Sequence, residues 1–203
     1  MEQRQEKERE RDREPSQEEI RALLQRRRPR EVDPGDLKLA AVLVPLFMKE
    51  GRWHVLLTRR TNTVEHHKGE ISFPGGHRDP EDKDFLSTAL RETEEEVGIP
   101  RESVRVLGRL DDYVTITGFR IRPFVGVIPY PFVTRVSPEE IAEVLLVPLK
   151  EFMLPGRMRT EEFTRNGSSF PVYFFSVEGQ VVWGATARIL KSFLELVYGF
   201  RAS

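Results

Sequence analysis

The 203-residue chain sets 32 Lys and Arg against 33 Asp and Glu, a formal net charge of −1, so no global field draws it to nucleic acid or to an anionic membrane. With no cysteine, a disulfide framework, a thiolate nucleophile and a cysteine zinc site are excluded. The longest apolar run, Leu39 to Phe47, is far too short to cross a bilayer and follows no apolar signal segment, so a cytoplasmic protein with a locally chosen partner is expected.

The length suits one domain with a real core and an appendage. The opening MEQRQEKERERDRE holds six acids and five bases after its Met and nothing apolar, so residues 1–15 are expected to form a charged disordered tail. Residues 16–36 follow as a short helix and linker. Ser16 and Glu19 make a capping box there, and Ile20, Leu23 and Leu24 form an apolar stripe before Pro29. Arg26 to Arg28 suit the last turn of that helix, where its dipole favours cations.

Residues 37–200 have the texture of a folded domain. LKLAAVLVPLF and WHVLLTRR flank the turn KEGR as a hairpin. Glu70 to Phe73 reads as a further short strand, which Pro74, Gly75 and Gly76 interrupt. From Asp84 to Val97 the period becomes helical: Phe85, Leu86, Ala89, Leu90 and Val97 share a face, and Gly98 is placed to end the helix. Strands are expected at Val104–Leu110, Arg120–Ile128 and Val172–Val177. Ser137-Pro138-Glu139-Glu140 is expected to open a short helix, and Thr186, Ile189, Leu190, Phe193, Leu194 and Val197 mark a last one. The class is α/β, a mixed sheet with a few helices and no internal repeat.

Four glutamates stand within the five residues Glu92 to Glu96. On a helix Glu92, Glu95 and Glu96 fall at i, i+3 and i+4, where like charges repel unless something positive lies among them. Arg91 neutralises part of the cluster. The remainder is an oxygen-rich surface that hard divalent cations such as Mg2+ or Mn2+ prefer, and a merely solvated acidic face is the plain alternative. Ahead of it, Phe73-Pro74-Gly75-Gly76 would let the backbone approach a substrate beside the metals. No Walker loop or G-x-G-x-x-G fingerprint occurs, which sets kinase and Rossmann readings aside.

Gly76 followed by RETEEEVGI, Arg91 to Ile99, resembles the Nudix box: a glycine, a loop and helix, then Arg-Glu-x-x-Glu-Glu-x-Gly and an apolar residue. The spacing from Gly76 to Arg91 is one residue longer than the usual pattern, and Asp82 stands six residues after the glycine, where a glutamate is usual. In these respects GGHRDPEDKDFLSTALRE resembles the boxes of the coenzyme A pyrophosphatases, as does LLTRRTNTVEHHKGEISFPGG upstream, at Leu56, Leu57, Thr58, Arg60, Gly69 and Phe73 to Gly76. Thr61 and Glu65 depart from that upstream signature, and Glu65 places a negative charge where an arginine is usual.

The resemblance covers roughly Leu37 to Val197. It implies the Nudix fold, an α/β/α sandwich around a mixed sheet, and metal-dependent hydrolysis of a nucleoside diphosphate linked to another group. The implied substrate is coenzyme A, cleaved to 3',5'-ADP and 4'-phosphopantetheine. ADP-ribose or another dinucleotide stands as the alternative that Glu65 permits, and a non-catalytic nucleotide-binding regulator as a second. The implied ligands of Mg2+ or Mn2+ are Glu92, Glu95 and Glu96, oriented by Arg91 and joined in the catalytic set by Glu140 as base or further ligand. Glu140 also fits a capping box with Ser137. Arg60, Lys68, Gly75 and Gly76 are the implied substrate-binding positions. His66, His67 and His77 are left outside the metal site, and Trp183 is expected in the core rather than stacked on a base. The partner is a small nucleotide, with neither nucleic acid nor membrane and with room for a homodimer.

Overall fold

A computed structural model describes residues 13–61, 69–165 and 167–201 of the chain. Helix α1 spans Gln17–Arg26, and its capping box forms as expected: the Glu19 N–H donates to Ser16 Oγ and the Ser16 N–H to Glu19 Oε2. Strands β1 (Lys38–Lys49) and β2 (Arg52–Arg60) make the expected hairpin, in register from Lys49↔Arg52 to Leu46↔Val55. The next residue of β1 is Pro45, which offers no N–H to the ladder. There the two strands part. The gap is filled by β3 (Ile71–Ser72) on β2 and by β4 (Gly75–His77) on β1, with the Leu43 N–H donating to Pro74 O between them. One proline thus opens the slot into which the double glycine is set.

Helix α2 runs Phe85–Val97, capped by the Asp84 side chain at one end and by left-handed Gly98 at the other. Strands β5 (Arg105–Arg109), β6 (Tyr113–Val114) and β7 (Phe119–Val127) follow, and β7 lies parallel to β1 in register from Lys38↔Phe119 to Leu46↔Val127. Strand β8, Ile141–Pro148, then covers the other edge of β2. Among the described residues these eight strands form one mixed sheet. A second antiparallel sheet holds β9 (Met158–Arg165), β10 (Ser168–Val177) and β11 (Gln180–Trp183), and helix α3, Gly184–Tyr198, closes the fold.

Alternation along β1 sends Val42, Val44 and Leu46 to a core shared with α1 and α3, and Ala41, Leu43 and Phe47 to a core beneath α2. Both faces of the sheet are covered, as an α/β/α sandwich requires. Ile20 and Leu24 are buried in the first core, so helix α1 packs against the sheet.

Two local expectations are corrected. Ser137 to Glu140 do not open a helix. The Glu140 and Ile141 N–H groups both donate to Ser137 O, a single turn, and the chain then extends as β8. Ile141, Leu145 and Val147 are its buried positions, and the free edge of β2 supplies backbone partners that a solvent-exposed turn lacks. Trp183 is 41% exposed, stacked on Phe174 at 6.1 Å at the start of α3, rather than in the core.

Residues 1–12 lie outside the described chain, but Glu14 is docked. Tyr198 donates to its Oε2 at 2.7 Å and Lys150 Nζ lies 3.6 Å from its Oε1, while the Trp53 indole N–H donates to Pro15 O at 2.6 Å. Residues 1–12 hold nothing apolar after Met1, so their removal is expected to leave the melting temperature unchanged. Glu14→Ala, which leaves the half-buried Tyr198 hydroxyl without its acceptor, should cost about 0.5–1.5 kcal/mol, or roughly 1–6 °C. Equal melting curves for Glu14→Ala and the parent protein would show that the docking contributes nothing.

Candidate functional site

The slot between β1 and β2 brings β4 under α2. Gly75 pairs with Val42 and Gly76 with Ala41. Small residues on the facing side of α2, Thr88, Ala89 and Thr93, are all buried, so the helix packs close and its carboxylates reach the slot. Of the apolar stripe expected there, Ala89 and Val97 are buried while Phe85, Leu86 and Leu90 are half-buried. Phe85 instead lies under the guanidinium groups of Arg78, Arg120 and Arg122, at 5.1, 4.8 and 4.7 Å from its ring centre.

The two glycines serve different ends. A Cβ on Gly75, whose φ is 154°, would fall 2.4 Å from Ala41 O and 2.6 Å from Val42 Cα, both fixed backbone. A Cβ on Gly76 would fall 2.5 Å from the Cδ and Oε1 of Glu92, the movable end of a side chain. Gly75→Ala is accordingly expected to destabilise the fold by about 1–3 kcal/mol. Gly76→Ala should leave the melting temperature within roughly 2 °C and displace Glu92, lowering activity far more than stability. Comparing the melting curves and turnover of the two variants checks this, and equal stability losses would refute the distinction.

Arg91 is the hub of the helix. Its Nε and Nη2 grip Asp82 Oδ1 and Oδ2 at 3.1 and 3.0 Å, and Nη2 also donates to His77 O at 3.1 Å. Nη1 reaches Glu95 Oε2 and Glu92 Oε1, both at 2.9 Å. Asp82 is nearly buried and also accepts from the Asp79 N–H and from Thr88 Oγ1. The Arg91 guanidinium, with these donors, holds its carboxyl down at about 2. Asp82 thus clamps Arg91 from behind while Nη1 lies between Glu92 and Glu95.

Glu96 is 3% exposed, and its Oε2 has no hydrogen-bond partner. The Gly75 N–H donates to its carboxylate, and Arg60 Nη1 stands 3.7 Å from Oε1. Burial pushes the Glu96 carboxyl up to about 8; Arg60 opposes this, and the charges of Glu92 and Glu140 add to it. Burial also raises Glu92, against the pull of Arg91 and with Glu95 and Glu140 adding to the rise. Glu140 is exposed, but its backbone is fixed: the Thr61 N–H donates to Glu140 O at 2.8 Å and Thr61 Oγ1 to Glu139 O at 2.8 Å. A register shift between Arg59 and Arg60 in the β2–β8 pairing lies where Arg60 meets the slot.

A NUDIX domain model matches residues 36–167. The chain belongs to the Nudix family. The uncharacterized Nudix hydrolase NudL of Photorhabdus laumondii is 39% identical over 158 residues, 78% of this chain and 84% of that protein. NudL of Yersinia pestis is 38% identical over the same length, covering 78% and 79%. Among solved structures, a MutT/nudix family protein from Enterococcus faecalis aligns over 95% of this chain and 73% of its own, with a TM-score of 0.54 and 17% identity. A NUDIX hydrolase from Alicyclobacillus acidocaldarius covers 58% and 82%, with a TM-score of 0.50 and 24% identity. These likenesses bear out the Nudix fold expected from the sequence.

Within this Nudix domain Arg60, Gly75, Gly76, Arg91, Glu92 and Glu96 meet at the slot, and the charge of Glu140 acts on it. Glu95 is half-exposed and turned to Arg91. Lys68, Glu65, His66 and His67 lie outside the described residues, and His77 packs edge-on against Phe119. Among the described residues no three acidic or histidine side chains are gathered closely enough to hold an ion. Asp82 is a site residue that the sequence pattern does not single out. Its signal was the offset of six from Gly76, and its partner became evident only once the loop folded back on Arg91.

Proposed function

We propose that this Nudix protein is a pyrophosphohydrolase that uses Mg2+ or Mn2+ to cleave nucleoside diphosphate conjugates, with coenzyme A as its substrate and 3',5'-ADP and 4'-phosphopantetheine as products. The observation that carries the reading is the orphaned Oε2 of buried Glu96, next to Glu92 and Glu140 and inadequately countered by Arg60. A buried carboxylate oxygen without a partner costs about 1–3 kcal/mol, and an all-oxygen donor set fits a hard divalent cation. Glu92 and Glu96 at the slot would hold the ion, and Glu95 would join them only on leaving Arg91, since as folded the three carboxylates are not gathered around one point. When bound, it supplies charge neutralisation for the diphosphate and a more acidic water.

The remaining chemistry belongs to the chain. Arg60 Nε is buried without a hydrogen-bond partner and is suited to donate to a phosphate oxygen at the slot. The bare backbone of Gly75 and Gly76 leaves room for that phosphate. Water adds to one phosphorus as the bridging P–O bond breaks, the bond electrons leave with the second phosphate, and the water proton passes to the Glu140 carboxylate. Coenzyme A is favoured by LLTRRT and GEISFPGG, whose residues form the wall of the slot: Thr58 is buried and its Oγ1 donates to Ser72 O.

Hydrolysis of coenzyme A, its 3'-dephospho form and ADP-ribose, each with and without Mg2+, tests the assignment. Coenzyme A should turn over fastest and only with metal. Equal turnover of the dephospho form with faster ADP-ribose cleavage would replace coenzyme A by a broader dinucleotide class, and no metal-dependent cleavage of any of the three would remove the enzyme.

A further inference from the structure

A cavity of about 610 Å³ opens on the α1 and α3 side of the sheet, between the segment Leu110 to Ile116, the start of β10 and helix α3. We propose that it binds a nucleotide through a phosphate monoester, with Arg188 as the residue that reads the charge. Its volume falls in the range of small-molecule sites. Tyr113 and Phe170 give it aromatic walls and Pro123 and Ile189 apolar ones, suited to a planar base.

Charge settles the rest. Both carboxylates in the lining are already engaged: Asp111 with Arg27 and the Arg30 N–H, Asp112 with Arg122 through two hydrogen bonds at 2.8 and 2.9 Å. Arg188 is not. Its Nη1 donates to the Tyr173 hydroxyl at 3.0 Å and its guanidinium lies 5.4 Å from that ring centre, and among the described residues no carboxylate pairs with it. Tyr173 thus holds a half-buried cation at the cavity wall with donors left over, an arrangement fitted to an anion of planar geometry.

Two sources can deliver that chemistry. Pro123 pairs with Val42, and Val42 with Gly75, so the cavity begins two inter-strand spacings, roughly 9.5 Å, from the slot. The carboxylates of the slot lie on the α2 face and the cavity on the opposite face, so a diphosphate conjugate reaches both only by passing around the edge of the sheet, and in this form the inference rests on the proposed hydrolase. A free nucleotide bound as an effector is the other source.

Calorimetric titration of the metal-free protein with 3',5'-ADP, AMP and adenosine is the first test. Both phosphates should bind, Arg188→Gln should weaken them at least tenfold, Arg188→Lys should restore part of the loss, and adenosine should be indifferent to either change. Unchanged affinity for 3',5'-ADP in a folded Arg188→Gln protein would overturn the proposal. Amide shifts in the unaltered protein provide a check that needs no variant. On addition of 3',5'-ADP they should appear at Tyr113 to Ile116 and Ser192, and shifts confined to Gly75 and Gly76 would overturn it.

Kinetics then separates the sources. A fall in kcat/KM for coenzyme A but not for its dephospho form in Arg188→Gln assigns the cavity to the substrate's own end. Unaltered kinetics with lost 3',5'-ADP binding assigns it to an effector. If no substrate is hydrolysed at all, the binding and shift measurements still decide the cavity independently.

Discussion

Replacing Glu96 with glutamine is expected to cut turnover at least a hundredfold, about 2.7 kcal/mol of transition-state stabilisation, while making the metal-free protein more stable at pH 8. The two effects have one origin. The Glu96 carboxyl ionises near 4.5 when free and at about 8 in the fold, chiefly through burial. Between those values folding takes up a proton, so the stabilising contribution of the neutral acid is complete below about pH 4.5 and is lost as pH rises through 8. The shift corresponds to at most on the order of 4–5 kcal/mol. Glutamine has nearly the same shape and no charge to lose. Melting profiles from pH 5 to 8.5 with a chelator present should therefore fall for the parent protein and stay flatter for Glu96→Gln, and Mg2+ should raise the parent's melting temperature more than the variant's. Parallel profiles would show that Glu96 does not ionise against a penalty in the fold, and parental turnover at saturating Mg2+ would remove it from the reaction.

The parts of the fold that local patterns encode were legible in the sequence. The hairpin around KEGR, the Ser16 capping box and the helix ending at Gly98 each depend on residues within a few positions of one another. The site helix was legible for the same reason, since i, i+3, i+4 spacing is local. What escaped depended on a distant partner. Ser137 to Glu140 carry a helix-start pattern, yet one turn suffices before Ile141 finds the edge of β2. Glu14 belongs by composition to a solvated tail, yet Tyr198, 184 residues away, supplies a donor. Trp183 is apolar enough for a core, but its place at the first residue before α3 leaves only one face covered, by Phe174. Asp82 is the instructive case for function. Its role requires the longer loop between Gly76 and Arg91 to double back, which residue spacing alone did not specify.

That loop sets the second large expectation: Arg91→Ala should destabilise the fold by about 3–5 kcal/mol, because it strips the partner from a nearly buried carboxylate. For a domain of this size the melting temperature should fall by roughly 6–20 °C. Arg91→Lys should recover little. A single ammonium cannot grip both Asp82 oxygens and also span Glu92 and Glu95 as the planar guanidinium does. The dependence on pH has the opposite sign to that of Glu96. Asp82 is held down at about 2 from an ordinary 3.8, so its contribution is present above about pH 4 and is lost as pH falls toward 2. The stability gap between the parent and Asp82→Asn should close over that acid range and nowhere else. In a double-mutant cycle, Arg91→Ala with Asp82→Ala should cost clearly less than the sum of the single losses, since removing both leaves no unpaired Asp82 charge, although Glu92 loses its partner in either case. Strict additivity would mean that the clamp is incidental. With coupling present, turnover in Asp82→Asn should fall tenfold or more even where the protein remains folded, because Arg91 would no longer be braced to hold Glu92 and Glu95 apart.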